Sequence, residues 1–159
     1  MLSNKQQEIL LKGINPSRIS QRKGGGGKML SYCEGWEIKA HMNRIFGFAN
    51  WSWDVTSGEL AFEEKGEKNW VVGYKVIGTL KIHETRATYS ESAIGSAQLP
   101  QRGEAHDMAI KTAETDAFKR AAINLGDQFG LSLYNGGSTE PAVREVLVPE
   151  LATLNQESA

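Results

Sequence analysis

From Trp70 to Ile82 the chain alternates: Trp70, Val72, Tyr74, Val76, Leu80 and Ile82 fall on one side of an extended segment. Repetition at every second residue is the signature of a strand with one face against a core. Such a strand needs partners and a cover. Asn50 to Ser57, aromatic and β-branched, and the more polar Arg86 to Gly95 supply flanking strands. The connections Gly58 to Asn69 and His83 to Thr85 suit an antiparallel meander. The cover follows Pro100 and Gly103: a long helix predicted from about Glu104 to Leu125, with Ile110, Ala113, Ala117, Ala121 and Leu125 on one stripe. Side chains this small let the helix sit close on a sheet or on a neighbouring subunit.

Upstream, Ser3 to Lys12 predicts a short helix ended by Gly13 and Pro16. Two short segments between Arg18 and Tyr32 flank Gly24 to Gly27 and read as a hairpin with a flexible tip. Ser31-Tyr-Cys-Glu34 has capping-box spacing, and Ile38, Met42, Ile45 and Phe46 recur as on an amphipathic helix stopped at Gly47. The order predicts an α+β fold: an N-terminal β-hairpin and helix, then a three-stranded antiparallel sheet covered by a long helix. At 159 residues and 40% hydrophobic content one domain suffices. Its expected extent is 1–134, with 135–159 a linker and a short acidic tail. Within that tail Val143 to Leu154 has apolar residues enough for a short helix interrupted by Pro149, or for a partly ordered end.

Met1-Leu-Ser-Asn-Lys-Gln-Gln lacks an apolar leader core, and the longest apolar runs fall far short of the ~18 residues of a membrane span. The expectation is a soluble intracellular protein with no membrane partner. The single cysteine, Cys33, has no disulfide partner in the chain and no metal-ligand spacing, and reads as a small packed residue. Net charge is −1, but the distribution is uneven: residues 1–50 carry eight Lys/Arg against three Glu, and residues 140–159 one Arg against four Glu. A positive face is compatible with phosphate binding because the local field, not the average, acts at short range.

Arg18, Arg22, Lys23 and Lys28 surround the four glycines. Glycines let a phosphate backbone approach main-chain N–H groups while the cations neutralise it; the same residues also read as a solvated, flexible tip. A nucleotide P-loop is excluded, because Met29 follows Lys28 and Arg22 stands in place of the first glycine. On the long helix Lys111 and Lys119 lie about 80° apart around the axis and can face one groove. Arg120 follows Asp116 by four residues, the spacing of an intrahelical ion pair. Phe48, Trp51, Trp53 and Trp70 are chemically suited to stacking on bases, yet the alternation favours core or subunit packing. His41, His83 and His106 are scattered. Glu104, Asp107, Glu114 and Asp116 would be the carboxylates of a metal-dependent nuclease, but their dispersion reads better as a solvated helix face.

Taken in order, the basic glycine-tipped hairpin, Tyr32-Cys-Glu34-Gly35, the helix, Phe46-Gly47-Phe48-Ala-Asn-Trp51, and Thr115-Asp-Ala-Phe-Lys119-Arg120-Ala121 with Gly126 downstream resemble the Rad-fifty-two family of single-strand annealing proteins over roughly residues 15–134. The resemblance implies a non-catalytic, ring- or filament-forming protein. It would bind single-stranded DNA and promote annealing of complementary strands in recombination and repair, without a cofactor or ATP. Arg22 and Lys119 match family positions in the inner, single-strand-binding groove. Tyr32 matches the tyrosine near that groove, and Lys111 and Arg120 match basic positions. Lys68 matches a lysine of the family's second DNA site, although Leu99-Pro100-Gln101 departs from that pattern. Where eukaryotic members carry a further arginine, this chain has Ile123, so a cation is missing or is supplied elsewhere, with Lys23 and Lys28 as candidates. The resemblance implies single-stranded DNA and a homo-oligomer as partners, with a single-strand-binding protein or a recombinase as further candidates. The compact length, without the long eukaryotic C-terminal region, suits a phage or bacterial member acting in the cytoplasm or nucleoid. Two other readings stand beside it: a metal-dependent nuclease, and a structural oligomer that binds DNA only incidentally.

Overall fold

The computed structural model describes residues 1–147. Helix α1 (Asn4–Leu10) starts at Ser3, whose side chain and that of Gln6 form a reciprocal capping box. Strands β1 (Ser20–Lys23) and β2 (Met29–Tyr32) pair antiparallel, with Arg22 opposite Leu30 and Ser20 opposite Tyr32. At the tip Gly26 and Gly27 adopt φ of 72° and 77°, a left-handed turn open to glycine without strain. Helix α2 (Gly35–Phe46) follows and ends at Gly47, φ 90°. Its buried face is Ile38, Met42, Ile45 and Phe46, as the periodicity predicts. The capping box expected at Ser31 does not form. Ser31 belongs to β2 opposite Gln21, and the helix starts after Glu34, whose carboxylate instead accepts a hydrogen bond from Tyr32. Strand pairing here outcompetes the local cap.

The second sheet is β3 (Trp51–Lys65), β4 (Trp70–Ile82) and β5 (Ala87–Leu99), antiparallel with β4 central. Strand β4 matches its prediction: Val72, Val76, Leu80 and Ile82 are buried. Its neighbours are longer than expected. The stretch 58–65, expected as connection, pairs with β4 to its end, from Gly58 opposite Val76 to Lys65 opposite Trp70. Two register shifts, between Val55 and Ser57 and between Leu60 and Phe62, break the alternation that would have marked it. Being an edge strand, it also tolerates Glu59, Glu63 and Glu64. Strand β5 likewise continues past Gly95 to Leu99, with Trp70 opposite Leu99.

Helix α3 (Arg102–Ala122) lies on β4 and β5. The face it buries is Ala105, Ala109, Ala113, Ala117 and Ala121, each fully covered. Ile110, expected on the buried stripe, is exposed, and Leu125 falls in a 3-10 turn (Ile123–Leu125) beyond the helix. The alanine methyls allow an approach close enough that a Cβ on Gly95 would stand 2.2 Å from the backbone nitrogen of Ala113. At the helix start Arg102 donates two hydrogen bonds to Glu63 of β3, and His106 bridges Glu63 and the Tyr74 hydroxyl. The Arg102 hydrogen bonds, followed by that of His106, hold the Glu63 carboxyl below its usual pKa.

The root of the hairpin is fixed by Arg18. Its guanidinium grips Glu37 of α2 with Nε and Nη2, and donates to the carbonyl of Gln128 at 2.8 Å and to Gln128 Oε1 at 3.1 Å. The Gln128 amide donates to the carbonyls of Lys12 and Gly13, joining the segment after α1 and the turn after α3 to this node. Residues 135–147 carry no helix or strand, and the N–H groups of Ala142 and Val143 donate to buried Asp127. The helix or tail expected over 143–154 lies mostly outside the described residues. Among the described residues no helix is long and apolar enough to cross a membrane.

Candidate nucleic-acid interface

In the hairpin, strand alternation puts Arg22 and Tyr32 on one face and Lys23 on the other. Two cations approach the Tyr32 ring: Arg22 Cζ is 5.4 Å from its centroid and Lys119 Nζ, arriving from the last turn of α3, is 5.0 Å away. The Tyr32 hydroxyl donates to Glu34 Oε1 at 2.8 Å, and that hydrogen bond, with burial second, raises the phenol's pKa. Two cations facing one aromatic ring hold the hairpin against α3 and leave their charge directed at the space between.

That space is a groove of about 1230 Å³ bounded by the hairpin, the end of α3, the sheet and the turns after α3. Arg22, Lys28, Lys75, Lys119 and Arg120 line it, against a single carboxylate, Asp116. Among the described residues Arg22, Lys28, Lys75 and Lys119 have no salt-bridge partner. Their charge is therefore available to an incoming anion. Arg120 does not pair with Asp116 as its spacing suggests; it reaches across to Glu91 of β5 at 3.4 Å. Ile123, where the expected arginine is missing, lines the same groove.

The predicted basic residues thus divide. Arg22, Lys28, Tyr32, Lys119 and Arg120 converge. Of the two candidate replacement cations, Lys28 lines the groove and Lys23 is not among its residues. Lys111 is not either: its ammonium is 2.7 Å from Asp107, one turn earlier, in an exposed pair. Lys68 lies in the β3–β4 turn, near the end of the sheet where Lys65 and Arg102 flank the Trp70 ring. Lys75 is a groove residue that the sequence motifs do not reveal; its one signal is its place on the polar side of the β4 alternation.

The aromatic residues also separate. Trp51 and Trp53 pack on Phe118, with centroids 6.0 and 5.4 Å away, and Trp51 Nε1 donates to Asn43. Phe48 does not join the core: it is 83% exposed, because the chain turns at Gly47 and Ala49 and carries it outward. Cys33 is buried, as expected. His41 is buried on Gln128, His106 sits on Glu63, and His83 contacts Ala49 and Ser52. Among the described residues no three His, Cys, Asp or Glu side chains converge as a metal site, so Glu104, Asp107, Glu114 and Asp116 give the nuclease reading no common donor set.

Fold and groove together define an α+β domain with a basic groove between a hairpin and a helix end. The family model of the Rad52/22 double-strand break repair proteins matches residues 3–145, and the chain belongs to this family. Among its relatives, the DNA repair and recombination protein RAD52 of Saccharomyces cerevisiae is 33% identical over 131 residues, 81% of this chain and 27% of its own. Two proteins of Schizosaccharomyces pombe, the DNA repair and recombination proteins rad22 and rti1, are 27% and 33% identical over 94% and 83% of this chain, and 37% and 36% of theirs. The chain spans about a third of the length of these curated relatives.

Proposed function

We propose that this chain binds single-stranded DNA in the groove between hairpin and α3 and promotes annealing of complementary strands in recombination and repair. The observation that carries the reading is the Tyr32 contact, with Arg22 and Lys119 both over one ring and Lys28 and Arg120 on the same groove. Cations held this way neutralise phosphates without reading base edges, and bases left outward stay free to pair. No bond is made or broken, and neither ATP nor a metal enters. One subunit offers few phosphate contacts, so the activity calls for a homo-oligomer, ring or filament, that multiplies them along a strand. A single-strand-binding protein or a recombinase is the class of partner that would hand over or receive such a strand, in the cytoplasm or nucleoid of a bacterial or phage-infected cell.

The test is to mix labelled complementary oligonucleotides with the protein and magnesium, with no nucleotide present. Faster duplex formation with strands of unchanged length supports annealing. Shortened strands would establish the nuclease instead, and assembled particles without affinity for DNA would leave only a structural oligomer.

A further inference from the structure

The groove has no cation at Ile123; beside Lys28, the candidate substitute on the hairpin side, it holds a further one that neither hairpin nor α3 provides. Lys75 stands at the middle of β4, on the face opposite buried Val76, and it is exposed. Strand β4 has two lysines with different surroundings. Lys81 is neutralised by Asp54 at 2.7 Å. Lys75 has Glu59 and Ile94 as its register partners, yet makes no salt bridge with Glu59 or with any other described residue. Its neighbours along the groove, Ser92 and Ile94 of β5, carry no charge to compete for an anion, and the exposed Ile94 offers apolar surface to the lysine stem.

We infer that Lys75 is a further contact to the phosphate backbone of single-stranded DNA, standing in for the cation that Ile123 does not supply; this rests on the single-strand reading above. A strand held between hairpin and α3 then continues past β5 onto the exposed face of the sheet, where the Lys75 ammonium meets the next phosphates. The groove's charge thus extends from the helix end onto the sheet.

The experiment compares the wild type, Lys75→Gln, Lys119→Ala, Ile123→Arg and the double variant Lys75→Gln/Ile123→Arg. Affinity for an oligothymidylate is measured across a salt series, with particle size recorded for each. Lys75→Gln is expected to weaken binding and to reduce the magnitude of the log–log salt slope by about 0.7 for each phosphate of a single strand that is no longer neutralised. Ile123→Arg is expected to restore most of that affinity and slope in the double variant. Wild-type affinity and slope in Lys75→Gln beside a weakened Lys119→Ala overturn the role of Lys75 and leave the groove reading standing. A change of particle size in Lys75→Gln, with the affinity of assembled protein unaltered, overturns it equally by placing Lys75 in assembly. Absence of wild-type binding, or no response to any of the substitutions, overturns the single-strand reading itself.

Discussion

Lys119 is the residue on which the groove turns, because it serves both the Tyr32 contact and the open charge. Lys119→Ala is expected to weaken single-strand binding by on the order of 1.5–3 kcal/mol per affected site, the range for a hydrogen bond to a charged group. Folding and assembly should stay intact, since no core volume is removed; anisotropy titration beside a sizing measurement checks both. His41 makes a different prediction. Gln128 Oε1 is an acceptor, so His41 Nε2–H must donate to it at 3.0 Å, and Nδ1 is left buried with no partner. Burial, and then the nearby Arg18, lower its pKa from 6.5 to about 4. The unfolded chain therefore takes up this proton first as pH falls, and the folded state loses stability between about pH 6.5 and 4. Above that window the group is neutral in both states and contributes no slope. In His41→Leu, where Gln128 Oε1 still accepts from Arg18, urea denaturation at stepped pH should show a flatter fall across the same range.

Elements differ in how much of themselves they show in sequence. Strand β4 and helix α2 are legible because one face of each is buried and the other is not, so period 2 and period 3.6 survive in the residues. Strand β3 is legible only to Ser57: beyond it two register shifts and an exposed edge erase the alternation, and pairing with β4, a nonlocal fact, decides the structure. The groove is half legible. Arg22, Tyr32, Lys119 and Arg120 lie in contiguous motifs, whereas Lys75 joins them only because the fold brings the hairpin, α3 and the sheet to one groove. The seating of α3 on the sheet hides similarly in Gly95, which reads as the end of a strand and is its middle. Gly95→Ala would set a Cβ 2.2 Å from Ala113 N and 2.8 Å from the Ala109 carbonyl oxygen, both helix backbone. The helix must lift, and a destabilisation of about 1–3 kcal/mol is expected in chemical denaturation. A wild-type midpoint would mean that the helix is less closely seated than these distances state.

For the whole molecule, five cations converge on one groove of a chain whose net charge is only −1. Bulk attraction to DNA is thus weak, and binding should depend on the groove alone. Affinity is expected to fall steeply with salt, by a slope of about −0.7 per phosphate neutralised, and to vary little among unrelated oligonucleotides. A shallow slope, or strong discrimination among sequences, would mean that bases are held, which would prevent them from pairing. Assembly could then be followed through a feature that so far served only the core. The chain's one cysteine, Cys33, is 4% exposed, and burial foremost, then the Glu37 carboxylate, raises its thiol pKa, so little reactive thiolate exists at neutral pH. The native chain is in effect already a cysteine-free background for chemical labelling. Gly25, at the hairpin tip, has open space around the position a Cβ would take. A Gly25→Cys variant would accept a dye at that one site, and energy transfer between tips would report subunit spacing in the proposed oligomer as a strand is loaded.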